Sequence, residues 1–167
     1  MSTQASQDLR FLLRKPEQRA FVGLVRAHVA TTRRLSAGLE TKHGLTLNDY
    51  EVLLHLAHSP ERMMRRVDLA RSVLLTPSGI TRLLEGLECV GYVERAKCET
   101  DARVTYARLT DAGHAKLKEA SVTHLEEIRS HFEERFSAEE MEILRELLSR
   151  LELDTAEEGP DCAAPSD

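Results

Sequence analysis

Hydrophobic residues recur every three or four positions through most of the chain, and short polar segments interrupt them. This spacing is typical of amphipathic helices that bury one face. It predicts a first helix over residues 17–42, which ends at Gly44. A second helix is predicted over residues 48–58, because Thr46 can cap its start. A short third helix is predicted over residues 65–73. Its predicted inward positions are Val67, Ala70, Val73 and Leu74.

The fourth helix has the most clearly marked start. Thr76-Pro77-Ser78 combines a residue that caps helix N-termini with a proline that suits the first helical position. From there an apolar stripe extends to Val90 on one side, while the other side carries small polar residues and Arg82. Only a few residues separate the third helix from the fourth. This spacing predicts a helix-turn-helix.

Two short strands are predicted after the fourth helix. They cover residues 92–95 and 104–109, and the polar segment 96–103 between them predicts a β-hairpin with a long charged tip. Such a hairpin directly after a helix-turn-helix is a wing. A long helix is predicted from residue 111 to 135, and Ser137 begins a capping box for the last helix.

The predicted fold is therefore mainly α with a small β-hairpin wing. Apolar stripes at both ends of a chain this helical favour burial against a second copy, so a homodimer is expected. The predicted dimerisation residues are Phe21, Leu144, Leu147, Leu148 and Leu151. The predicted organisation is a flexible N-terminal arm over 1–15, an N-terminal dimerisation helix over 16–44, a winged helix-turn-helix DNA-binding domain over 45–110, C-terminal dimerisation helices over 111–153 and a disordered acidic tail over 154–167.

Composition narrows the class of protein. Hydrophobic residues make up 41% of the 167 residues and charged residues 31%, an ordinary balance for a globular protein. No apolar run approaches the roughly 20 residues that cross a bilayer, and the N-terminus does not resemble a signal peptide. The three cysteines are widely spaced, which suggests neither a disulfide framework nor a zinc ribbon. A cytoplasmic protein with no membrane partner is expected.

The net charge of −5 argues at first against a nucleic-acid partner, but its distribution does not. Residues 62–110 carry nine Lys and Arg against six Asp and Glu, a net charge of +3. Residues 111–167 carry six against sixteen, a net charge of −10. The predicted helix-turn-helix and wing are thus the most basic part of the chain, which fits binding to double-stranded DNA.

The fourth helix is predicted to enter the major groove, which is about 12 Å wide and admits one helix. Its first turn has free N–H groups and a positive dipole end, and both favour phosphate. Small side chains permit close approach, and Arg82 can contact a guanine edge or a phosphate. Cations of the wing and third helix can contact the backbone. On these grounds the predicted DNA-binding residues are Thr76, Pro77, Ser78, Thr81, Arg82, Lys97, Arg103, Arg65 and Arg71.

Four segments carry a resemblance to a known family. They are Leu-Thr-Pro-Ser-Gly-Ile-Thr-Arg-Leu-Leu at 75–84, Gly-Tyr-Val-Glu-Arg at 91–95, Asp-Ala-Arg at 101–103 and Leu-Thr-Asp-Ala-Gly at 109–113. Together they resemble the multiple antibiotic resistance regulator (MarR) family over about residues 17–153. The resemblance implies an obligate dimer with interlocking terminal helices that binds pseudo-palindromic DNA, usually as a repressor. It also implies a possible small-molecule effector. Arg103 would be the family's wing arginine and Asp101 would orient it, which adds Asp101 to the DNA-binding residues.

Three other functions compete with that of a DNA-binding regulator. No phosphate loop, dinucleotide fingerprint, nucleophile elbow or HExxH motif is present, so an enzyme is not predicted and no cofactor is expected. Seven histidines leave a zinc-responsive regulator open, but they form no compact set with metal-ligand spacing, so no metal site is assigned. A dimeric winged-helix adaptor that binds protein rather than DNA is the other alternative.

Overall fold

The computed structural model describes residues 15–97 and 105–151, which fall into two compact units, one ending at Glu127 and the other starting at Ile128. The mainly helical chain with a small antiparallel sheet confirms the predicted fold class. A 3-10 turn over Pro60–Arg62 precedes the first strand. The predicted acidic tail lies outside the described residues, as does the predicted arm up to residue 14. The elements are α1 (Pro16–His43), α2 (Leu47–His58), β1 (Met63–Arg65), α3 (Arg66–Ser72), α4 (Pro77–Cys89), β2 (Val93–Lys97), β3 (Thr105–Leu109), α5 (Asp111–Glu133) and α6 (Ala138–Ser149).

Side-chain caps mark the ends of several helices, as the sequence predicts. Thr46 Oγ1 accepts a hydrogen bond from the Asp49 N–H (3.1 Å), and the Asp49 carboxylate accepts one from the Thr46 N–H (2.8 Å). Ser137 and Glu140 form the same reciprocal pair at the start of α6. Gly44 follows α1 with a φ of 68°, a left-handed conformation that glycine adopts without steric cost. These local signals explain why the predicted helix ends lie within two residues of the observed ones.

The wing belongs to a three-stranded antiparallel sheet in the order β1-β3-β2. Strands β2 and β3 pair from Val93 opposite Leu109 to Lys97 opposite Thr105, which confirms the predicted hairpin. Strand β1 pairs with the other edge of β3 and is absent from the prediction, because three residues are too few to show an alternating pattern. The prediction that Arg65 begins the third helix is wrong. Arg65 lies in β1 and is the N-cap of α3.

Leucine builds most of the apolar core of the first unit, because the chain has few aromatic residues. Helix α1 buries only Leu35 and Leu39, both in its C-terminal half. The N-terminal half of α1 therefore extends beyond the part of the helix that the core covers. The largest fully buried side chains are Leu39, Leu53, Leu56, Leu69, Leu84 and Val52.

The observed inward face of α3 differs from the predicted one. Ala70 and Val73 are buried as predicted, and Leu69 is buried with them. The prediction is wrong for Val67, which is 64% exposed, and for Leu74, which is 93% exposed. Because α3 has only seven residues, about two turns define its face, and the spacing alone does not decide which positions are inward.

A hydrogen-bonded corner joins the wing to α5. The Thr110 hydroxyl donates to the Gly91 carbonyl oxygen (2.7 Å) and accepts from the Gly113 N–H (3.0 Å). The Thr110 N–H donates to the Tyr92 carbonyl oxygen (3.1 Å). A Cβ atom at Gly113 would overlap that carbonyl oxygen and would lie 2.8 Å from Leu109 Cδ1. The segment Leu-Thr-Asp-Ala-Gly is therefore a structural corner that requires glycine at its last position.

His124 of α5 is a buried histidine that packs against α2. The ring centroid of His124 is 4.6 Å from that of Tyr50, whose hydroxyl is 3.1 Å from the Ser121 hydroxyl oxygen. His124 is 5% exposed, and its Nδ1 has no hydrogen-bond partner among the described residues. Burial lowers the pKa of His124 from its ordinary value, and the Glu127 carboxylate offsets part of this effect. The fold therefore favours the neutral imidazole.

We expect the protein to lose stability as the pH falls from about 7 to about 5, in part through His124. A histidine with a lowered pKa in the folded state leaves the unfolded chain with more bound protons once the pH drops below about 6.5. Replacing His124 by phenylalanine keeps an aromatic ring against Tyr50 and removes this proton uptake. The free energy of unfolding of H124F should therefore fall less over the same pH range.

Urea unfolding at a series of pH values measures this difference. The variant H58Q, at an exposed histidine of α2, serves as the control and should keep the wild-type pH dependence. An H124F profile parallel to that of the wild type would contradict the role given to His124.

Candidate nucleic-acid interface

The start of α4 is the part of the chain best suited to approach DNA. Thr76 is the N-cap, and its Oγ1 accepts from the Gly79 N–H (3.1 Å) and lies 3.2 Å from the Ser78 hydroxyl oxygen. Pro77 occupies the first helical position, where no N–H is needed. The other N–H groups of the first turn carry the positive end of the helix dipole. The Gly79 N–H is used by the Thr76 cap, which leaves the Ser78 N–H to donate to a phosphate oxygen.

The two faces of α4 differ as binding in a groove requires. One face is the buried apolar stripe that the sequence predicts, except that Val90 follows the helix and is 58% exposed. On the opposite face Ser78 and Arg82 are exposed. Thr81 is half-buried and donates its hydroxyl hydrogen to the Pro77 carbonyl oxygen (2.8 Å). In the first two turns of α4, the exposed face thus combines small polar groups with a single long cation.

Arg82 is available to a ligand. Within residues 15–97 and 105–151, its side chain makes no hydrogen bond or ion pair. A guanidinium without a partner presents five N–H donors in a planar fork, which matches a guanine edge or a phosphate. Arg82, which the sequence predicts to contact a base, is therefore exposed and has no partner among the described residues.

Arg95, on β2, differs from Arg82 because it is paired with two carboxylates. Its Nε donates to Glu88 Oε2 (2.7 Å), and its Nη2 lies 3.8 Å from Glu85 Oε1. These contacts join the wing to the later turns of α4 and offset two negative charges that would repel phosphate. Arg95 is not among the predicted site residues. The sequence does contain a signal for its role. Glu85 and Glu88 are carboxylates on a helix predicted to bind DNA, and they need a nearby cation to offset their charge.

The two predicted phosphate contacts near the start of the helix-turn-helix share one carboxylate. Arg65 Nε donates to Asp68 Oδ2 (2.5 Å), and Arg71 Nη1 lies 3.9 Å from Asp68 Oδ1. The Arg71 side chain is 80% exposed, so this ion pair restrains it only weakly. DNA contact by Arg65 and Arg71 stays a prediction.

The tip of the wing lies outside the described residues. Asp101 and Arg103 belong to segment 98–104, so their roles stay predictions. Lys97 is the last described residue of β2, opposite Thr105 on β3, and its contact with DNA also stays a prediction. The described strands therefore establish the base of the wing and its attachment to α4.

Clusters of metal-ligating side chains and membrane-spanning helices are absent from the parts of the chain that the structure describes. No group of three or more His, Cys, Asp or Glu side chains that could hold a metal ion occurs in residues 15–97 and 105–151. Over the same ranges, no helix is both long enough and apolar enough to cross a membrane.

Known proteins resemble this chain in sequence. A sequence profile of the MarR family matches residues 43–104, which include the helix-turn-helix and most of the wing. The homoprotocatechuate degradative operon repressor of Escherichia coli is 38% identical over 108 residues, which are 64% of this chain and 70% of the repressor. The HTH-type transcriptional regulator MhqR of Bacillus subtilis is 29% identical over 133 residues, which are 80% of this chain and 89% of MhqR.

The fold is also similar to that of solved regulators. A MarR family transcriptional regulator from Streptomyces coelicolor, determined in complex with DNA, matches with a TM-score of 0.73 and 28% sequence identity. The match covers 81% of this chain and 84% of that regulator. Sequence and structural comparisons therefore lead to the same kind of protein.

Proposed function

The chain belongs to the MarR family of winged-helix transcription regulators, and from this we propose that it is a ligand-responsive homodimeric repressor of a pseudo-palindromic operator. It is a DNA-binding regulator of transcription rather than an enzyme. The observation that carries the proposal is Arg82, exposed and without a partner in the described chain, on the open face of a capped helix. The comparisons give no support to the protein-binding adaptor or the zinc-responsive regulator.

In this proposal α4 enters the major groove of each half-site. Arg82 would donate to a guanine edge, and Thr76 and Ser78 would allow the first turn to lie against the phosphate backbone. The wing would contact the phosphate backbone of the DNA that flanks the half-site. The proposed DNA-binding residues are Thr76, Pro77, Ser78, Thr81, Arg82, Lys97, Asp101, Arg103, Arg65 and Arg71.

The exposed apolar face of α1 supports the proposed dimer. Phe21 is 66% exposed and Val25 is 45% exposed. Each lies 14 positions before a buried leucine, Leu35 or Leu39, which is close to four helical turns and therefore on the same face. A single apolar stripe is thus buried in the second half of α1 and exposed in the first. A second copy of the chain would cover the exposed half.

Helix α6, in the second unit, presents another exposed apolar face. Leu147 is 50% exposed and Leu148 is 40% exposed, and Leu151, which follows the end of the helix, is 63% exposed. Leucines with this spacing line one side of a helix, and a surface helix ordinarily turns that side toward a partner. We assign this face to the dimer as well. The proposed dimerisation residues are Phe21, Leu144, Leu147, Leu148 and Leu151.

A two-fold dimer would present two α4 helices to successive major grooves, about 34 Å apart. A small-molecule effector that favours a different spacing of the two DNA-binding domains would weaken binding to the operator. Such a repressor acts where it meets chromosomal DNA, so we place it in the cytoplasm. The proposed domains keep the predicted bounds of 16–44, 45–110 and 111–153.

Replacing Arg82 by alanine is expected to weaken operator binding by about 1–3 kcal/mol, or roughly 5- to 150-fold, and to relax the base preference at one position in each half-site. The loss follows from a bidentate guanine contact that alanine cannot make. Operator duplexes selected by the wild-type protein from a random-sequence library provide the probe. Fluorescence anisotropy at two salt concentrations gives the affinities.

The variant R19A removes an exposed arginine of α1 and should leave both the affinity and the base preference unchanged. Wild-type affinity and preference in R82A would show that Arg82 does not read the operator.

A further inference from the structure

Leu74 has a backbone conformation that leucine ordinarily avoids. Its φ is 53°, in the left-handed region where a Cβ atom crowds the following carbonyl oxygen. The residue follows the end of α3 in a turn closed by two hydrogen bonds. The Leu74 N–H donates to the Arg71 carbonyl oxygen (3.2 Å), and the Leu75 N–H donates to the Ala70 carbonyl oxygen (2.9 Å). Glycine is the residue that this turn favours at the position of Leu74.

The same turn occurs after α4, and there the chain has glycine. The Gly91 N–H donates to the Glu88 carbonyl oxygen (3.1 Å), and the Tyr92 N–H donates to the Leu87 carbonyl oxygen (2.9 Å). The φ of Gly91 is 78°. One domain therefore contains two copies of one turn, with glycine in one and leucine in the other. The leucine is the one that needs an explanation.

Burial within this chain does not explain Leu74. The side chain is 93% exposed, more than any other large hydrophobic side chain in the described residues. It is therefore strained in its backbone and gains almost no contact with the rest of the fold. Residues in strained conformations are kept where something outside the local backbone compensates, and such residues cluster at functional sites.

We propose that Leu74 is a DNA-contacting residue whose side chain packs on an apolar edge of the operator, either a thymine methyl group or a deoxyribose. The inference rests on the proposed function of α4. Only Leu75 separates Leu74 from Thr76, the N-cap of α4, so the two Cα atoms are held within about 7 Å of each other. A first turn that lies against DNA brings Leu74 to the same part of the duplex. The thymine methyl is the apolar group that the major groove offers.

The variant L74G separates this role from a structural one, because it changes stability and affinity in opposite directions. Glycine relieves the strained φ and removes no buried surface, so the melting temperature should rise by about 2 °C. Loss of one apolar contact should weaken binding to the selected duplexes about three- to ten-fold. The variant L74M keeps an apolar side chain and should retain affinity within about two-fold of the wild type. A residue with a merely structural role would lower both quantities or neither.

Val90 offers a matched control at the other end of α4. It is 58% exposed, and about 20 Å of helix separates it from Thr76, so V90A should leave the affinity unchanged. Duplexes with single thymines replaced by deoxyuridine then distinguish the two apolar edges. A loss of affinity for the wild type but not for L74G at one position identifies a thymine methyl. A weaker L74G with no sensitive thymine identifies a deoxyribose.

Equal affinity of L74G and the wild type would overturn the inference and leave the role of Arg82 intact. A weakening of V90A as large as that of L74G would also overturn it, because the loss would then not be specific to the turn. If the wild type selects no DNA, the proposed operator binding fails and the inference fails with it.

Discussion

Replacing Gly113 by alanine is expected to lower the free energy of unfolding by about 3 kcal/mol. The added methyl group would overlap the backbone carbonyl oxygen of Tyr92 and press on the Leu109 side chain. A backbone oxygen cannot rotate away as the end of a flexible side chain can. The same oxygen accepts the Thr110 N–H, so moving it also weakens the corner between the wing and α5.

Gly86 provides a control with the same chemical change and the opposite expected sign. It lies within α4, it is exposed, and a Cβ atom there would meet nothing within 4 Å. Because alanine restricts the unfolded chain more than glycine does, G86A should raise the free energy of unfolding by about 0.5–1 kcal/mol. Urea unfolding followed by circular dichroism measures both variants. Similar changes in G113A and G86A would show that the Tyr92 oxygen can move freely.

Replacing Leu147 and Leu148 by glutamate is expected to separate the proposed dimer, with a rise of at least about 100-fold in its dissociation constant. Two carboxylates would enter an apolar interface without partners. Both leucines are at least 40% exposed within the single chain, so the helical content of the subunit should change little. A separated subunit would also bind the operator weakly, because its two half-sites would no longer be joined.

Sedimentation equilibrium gives the dissociation constant, and R150E is the control. It changes the net charge by the same two units, and it replaces a 63% exposed arginine that directly follows the last helical residue of α6. R150E should remain a dimer. If the leucine variant also stays a dimer, the proposed interface on α6 is in the wrong place.

The features that the sequence could predict are those that depend on neighbouring residues. Thr46, Thr76 and Ser137 cap helices through contacts three positions away, so their residue types and spacing mark the helix starts. The apolar stripe of α4 is long enough to define its inward face. The exposed position of Arg82 follows from that stripe alone.

The features that the sequence could not predict depend on residues that are distant in the chain. Strand β1 forms because Met63 pairs with Arg108, which no local pattern indicates. Arg95 contacts Glu88 only once the sheet has packed beside α4. The motif that ends in Gly113 could be matched to a family from the sequence. The reason that it requires glycine could not, because that depends on the contact of Gly113 with the distant Tyr92 carbonyl oxygen. In the candidate site, α4 was therefore predictable and its attachment to the wing was not.

The Thr110 corner has a consequence for motion. The hydroxyl and N–H of this residue connect the backbone after α4, the end of β3 and the first turn of α5 in one hydrogen-bonded unit. Segments that share such bonds open together, so their amide hydrogens should exchange with solvent at a common, slow rate. The base of the wing therefore cannot separate from the domain unless the first turn of α5 unfolds with it.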